Sequence, residues 1–98
     1  MRDMNEIIAY LRARDALRMT PQDALRLIAD HPRAQDIILS PQALRDALVR
    51  IEPERGDALF ALLGIRQPYS LATLCHLAQY DDWLMYAMSL LIEALVAP

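Results

Sequence analysis

The sequence predicts an all-α fold: a single-domain bundle of five or six short helices, closing in a C-terminal helical hairpin with an apolar last helix. Three observations carry this. The chain has only two glycines and few β-branched residues. No stretch sustains the period-2 alternation of a half-buried strand, and apolar residues instead recur three and four apart. Prolines stand where such runs begin and end. At 98 residues there is one domain's worth of chain, so residues 1–98 form a single all-α domain in this reading.

Asp3 and Glu6 have capping-box spacing and open the first helix, with Met4, Ile7, Ile8 and Leu11 on one face. It runs to about Arg14–Leu17. Two segments then share one plan, TPQDALRLIADHP from Thr20 and SPQALRDALVRIEP from Ser40. In each, a hydroxyl accepts a free N–H of the first turn, and a proline at the first helical position has no N–H to leave unpaired. Ala24, Leu25 and Ile28 form the buried stripe of one helix; Leu44, Ala47, Leu48 and Ile51 form that of the other. Pro32 and Pro53 end them, because the residue before a proline is pushed out of the helical region. The repeat is therefore construction, two similar helix starts, and not a ligand-binding motif. The link PRAQDIIL reads as a helical turn whose Ile37, Ile38 and Leu39 plug the core.

PERGDALFALLGI gives a short helix to about Leu63. Gly64 suits the left-handed position after it, with Ile65 folding back on Phe60. Arg66–Tyr69 is a loop. Ser70 caps the next helix, where Leu71, Leu74, Cys75 and Ala78 are spaced for burial. Asp81 and Asp82 break the apolar pattern and cap a last helix from Trp83 to about Val96. Two helices in a hairpin is the favoured arrangement. One continuous helix is the alternative, since no proline or glycine intervenes. Residues 68–98 meet some apolar positions of the roughly 34-residue tetratricopeptide pattern. The aromatic and proline positions do not fit, which leaves a helical hairpin and no family.

Charge is unevenly placed. Residues 1–55 carry nine arginines and nine acids, whereas residues 56–98 carry Arg66 and four acids, so the net charge of −3 lies wholly in the second part. All ten basic residues are arginine, for which the codon usage of a GC-rich bacterial genome is the plain explanation. The lone Cys75 excludes an internal disulfide. The N-terminus has no signal-peptide pattern and no run reaches the length of a membrane span, so a cytoplasmic chain is expected.

Few side chains converge for chemistry. Cys75 and His76 are adjacent, so on a helix they point about 100° apart and cannot form a dyad. Cys75 shares a face with Leu71, Leu74 and Ala78 and reads as a small core residue. His76 reads as exposed or bonded to Thr73 or Tyr80. His31, before Pro32, reads as a charge favoured by a helix C-terminus. Asp81 and Asp82 read as caps, and Glu52 and Glu54 as solvated. There is no phosphate loop, HExxH or nucleophile elbow. No catalytic, cofactor-binding or metal-binding residue is expected, and the chain is read as not an enzyme.

What stands out is the last helix. Leu84, Met88, Leu91 and Leu95 mark one face, Met85 and Ile92 a neighbouring one, and Trp83, Tyr86 and Leu90 the far side. A helix apolar nearly all round is either central in its fold or shared with another chain. The expected function is a non-enzymatic protein-interaction module, a small adaptor, chaperone or inhibitor. It would bury a partner's amphipathic helix, or a second copy as a homodimer, against Trp83, Leu84, Tyr86, Met88, Leu91 and Leu95, with Arg14 and Arg18 as a charged rim. The alternative is a dimeric helical DNA-associated regulator using the arginine-rich half. Against it, Asp15–Arg18, Asp23–Arg26 and Asp46–Arg50 have the spacing of helical ion pairs, so nucleic acid is the less expected partner.

Overall fold

The structure, a computed structural model, describes residues 2–97, except for the side chains of Arg2 and Asp3. The capping pair expected at Asp3 and Glu6 therefore lies outside the described residues. Six α-helices follow in order: α1 (Arg2–Ala13), α2 (Pro21–Ala29), α3 (Pro41–Ile51), α4 (Gly56–Leu63), α5 (Leu71–Leu77) and α6 (Asp82–Val96).

Four of their starts rest on the caps the sequence marks. Thr20 Oγ1 accepts from the Asp23 N–H at 3.2 Å and Ser40 Oγ from Ala43 at 3.1 Å. Ser70 Oγ accepts from Thr73 at 3.0 Å and Asp81 Oδ1 from Leu84 at 3.1 Å. The two PQ segments are thus two uses of one cap. The last of these also settles the hairpin. A 3₁₀ turn at Ala78–Tyr80 and an extended Asp81 (φ −141°, ψ 110°) separate α5 from α6.

The first helix ends earlier than its pattern suggests. Asp15 takes the left-handed conformation, φ 56° and ψ 48°, which its short polar side chain tolerates better than most. A 3₁₀ turn at Ala16–Arg18 follows. Between α2 and α3 the link forms the expected short turn, a 3₁₀ segment over Pro32–Gln35, but then becomes a strand. β1 (Ile38–Leu39) pairs antiparallel with β2 (Tyr69–Ser70), Ile38 opposite Ser70 and Leu39 opposite Tyr69. Each strand leads directly into a capped helix, whose cap residue is itself extended. The ladder costs little extra ordering there, and the Leu71 N–H donates to the Ile37 carbonyl at 2.8 Å. Alternation along β1 corrects the sequence reading of this link. Ile37 is buried and Leu39 half-buried, but Ile38 is 58% exposed instead of plugging the core.

The last helix is central. α6 packs on each of the other five helices, while α2 also lies against α5 and α3 against α4. Leu84, Ala87, Met88, Leu91, Ile92 and Val96 are its buried side. The α3–α4 corner is tight enough to need glycine. A Cβ on Gly56 would stand 2.6 Å from the Leu48 carbonyl oxygen and from Val49 Cα.

Candidate interaction surfaces

Because α6 carries no charge between Asp82 and Glu93, its neighbours decide which of its faces are covered. Along α1 and α3 it borders an apolar cleft of about 310 Å³. The floor is Ile7 and Leu11 from α1, Leu44 from α3 and Met88 from α6, all buried. Met4, Ile51 and Leu95 stand around it, and Arg50 is its one charged lining residue among those described.

On the opposite side α6 meets α4, and there apolar groups face outward. Trp83 is 53% exposed, Tyr86 43% and Leu62 55%. With Ala58 and Leu59 they surround a second cleft of about 250 Å³. Its edge is the ion pair of Arg55 Nη2 with Glu52 Oε2 at 3.3 Å. Half-exposed aromatics beside a leucine and a charged rim have the composition of a protein interface core.

The residues expected to meet a partner are therefore divided. Leu84, Met88 and Leu91 are buried within the chain, Leu95 is half-buried beside the first cleft, and only Trp83 and Tyr86 reach the surface. Arg14 and Arg18 are placed elsewhere. Arg14 lies over the Tyr10 ring at 5.1 Å, and Arg18 Nε pairs with Asp15 Oδ2 at 3.3 Å. Both follow the end of α1, which Arg12 holds against the last turn of α6. That is about 20 Å along the helix axis from Trp83, so the charged rim at the aromatic surface is Glu52–Arg55.

Comparison with protein-family models, curated proteins and solved structures finds no match for this chain.

The remaining chemistry-bearing residues have structural partners. Burial pushes the Cys75 thiol up to about 12, which removes the thiolate that reactivity needs. His76 sits edge-on to Tyr80, ring centroids 5.9 Å apart. His31 does not close α2. It starts the following 3₁₀ turn, where Nδ1 accepts from the Arg33 N–H at 3.1 Å, and its ring meets Tyr10 edge-on at 4.8 Å. Among the described residues, no cluster of His, Cys, Asp or Glu is placed to hold a metal. None of their helices is long and apolar enough to cross a membrane.

Of the helical ion pairs expected, Arg18–Asp15 and Arg26–Asp23 form, at 3.3 and 3.8 Å. Asp46 instead accepts from Gln42 Nε2 at 2.7 Å. Sequence reasoning also missed Leu62 and Arg50. Leu62 lies on a helix with apolar residues on several sides, so periodicity does not show its outward face. Arg50 belongs to its cleft only through the packing of α3 against α1 and α6.

Proposed function

We propose that this chain is a non-enzymatic protein-interaction module of the adaptor, chaperone or inhibitor kind. It binds an amphipathic helix of another protein, or the same surface of a second copy, along the α4–α6 seam. The observation that supports this most is the grouping of Trp83, Tyr86 and Leu62, each about half exposed, around one cleft. Aromatic anchors in a partly enclosed pocket are where interface energy concentrates, and the Glu52–Arg55 pair beside them supplies polar contacts that fix orientation. Leu84, Met88 and Leu91 act from behind, holding α6 in place.

A DNA-associated regulator has less support. Arg18, Arg26, Arg33, Arg45 and Arg55 each face an acid within 4 Å, which leaves less uncompensated charge for phosphates.

The test is affinity capture from lysate of the natural host, comparing the native chain with Trp83→Asp, Tyr86→Asp and Leu77→Asp. A partner, or an untagged copy of the chain, should be retained by the native protein and by Leu77→Asp but lost with the other two. Equal retention by all four would sink the proposal. So would recovery of nucleic acid alone, eluted by moderate salt.

A further inference from the structure

We propose that the cleft between α1, α3 and α6 is a ligand site, taking a single alkyl chain with an anionic head, that of a free medium-chain fatty acid. The chain lies in the cleft and the carboxylate meets Arg50. The site is separate from the α4–α6 surface and does not depend on the function assigned to it.

Shape is the first reason. None of the described side chains around this cleft is among the exposed large apolar residues of the described chain, Leu17, Ile38, Leu62, Leu77, Tyr80, Trp83 and Tyr86. It is a recess, unlike the projecting aromatic surface of the α4–α6 seam. A recess of this kind admits a ligand that enters it. Its volume of about 310 Å³ falls at the low end of small-ligand sites, roughly 300–1,000 Å³, enough for one alkyl chain.

Chemistry is the second. The described lining residues are apolar apart from Arg50, so none of them would satisfy a ligand with polar groups along its length. Met4 and Met88 bring flexible thioethers that adapt to a chain of varying conformation. Among the described lining residues, Arg50 supplies the positive charge. A guanidinium matches a carboxylate through two parallel N–H donors, which fixes an amphiphile head-outward.

The methionine methyl groups give a direct readout on the full chain. With decanoate added below its micelle concentration, the Met4 and Met88 methyl resonances should move while Met19 and Met85 stay. Binding should tighten roughly four-fold per methylene from hexanoate to decanoate. Arg50→Gln, a surface change that leaves the core intact, should weaken decanoate roughly ten-fold and leave decanol unaffected. Trp83→Asp should change none of this. Unmoved Met4 and Met88 resonances would overturn the proposal. Shifts that follow protein concentration alone would also overturn it and give the cleft to a second copy. Equal effects of Arg50→Gln on decanoate and decanol would remove the carboxylate assignment. Binding to phosphatidylglycerol vesicles without binding of monomeric decanoate would overturn the free acid in favour of a membrane surface.

Discussion

The Arg12 guanidinium, from the first helix, donates through Nε to the Val96 carbonyl at 3.3 Å and through Nη2 to the Ala97 carbonyl at 3.2 Å. The last carbonyls of a helix have no partner within it and carry partial negative charge. Arg12 meets both needs across 84 residues of sequence.

Arg12→Ala should therefore lower stability by about 1 kcal/mol. Arg12→Lys should recover only part of this, since an ammonium lacks the planar fork that reaches two carbonyls at once. Urea denaturation of the three proteins checks the order.

The two glycines are needed for different reasons, and alanine separates them. At Gly56 the obstacle is backbone, 2.6 Å from the added Cβ, so Gly56→Ala must shift α3 against α4 and should cost about 2 kcal/mol or more. At Gly64 nothing lies within 4 Å and only φ of 65° is strained, so Gly64→Ala should cost about 1 kcal/mol. Equal losses in denaturant would contradict this distinction.

Thr20, Ser40 and Ser70 do the same job, so alanine at each should cost about 1 kcal/mol and glycine only a few tenths. The sites share no partners, and their losses should add within about 0.5 kcal/mol. A triple variant checks additivity. A ligand-binding role for the repeated PQ segments would instead appear as lost binding with little change in stability.

Cys75 gives a pH signature. Its folded thiol titrates near 12 against an unperturbed 9.0, so above that unfolded value only the unfolded chain releases the proton. Unfolding then becomes easier as pH rises, and the contribution present below pH 9.0 is lost progressively toward pH 12. The limiting slope is about 1.4 kcal/mol per pH unit. Cys75→Ala should flatten the alkaline stability profile by that amount. In the native protein at neutral pH the thiol should react with a thiol-specific disulfide reagent only as fast as the chain opens.

What the sequence made legible was local. Thr20, Ser40, Ser70 and Asp81 cap within three residues of themselves, so the starts of α2, α3, α5 and α6 could be placed. The i, i+3, i+4 stripes likewise marked Leu25, Ile28, Leu44, Leu48 and Leu74, all buried. The β1–β2 ladder pairs residues about thirty positions apart and is two residues long, too short to leave an alternating pattern. Asp15 ended α1 through a backbone conformation that no apolar spacing records. The candidate surfaces were the least visible. Because α6 is apolar on nearly every side, its sequence put Met88 and Trp83 on different faces but did not say that Met88 faces inward and Trp83 out. That division follows from where α1, α3 and α4 pack. The same packing placed Arg14 and Arg18 beyond the opposite end of α6 from Trp83.

Trp83 is the only tryptophan, and its indole reports directly on the proposed surface. Acrylamide quenching of its fluorescence, in the free chain and in the complex recovered by capture, is the measurement that tests the interaction reading most directly. In the free protein the half-exposed indole should be quenched readily. In the complex quenching should fall several-fold and the emission shift to shorter wavelength, as the α4–α6 seam is covered. A complex in which Trp83 stays as accessible as in the free chain would contradict the account, and the partner would have to bind elsewhere.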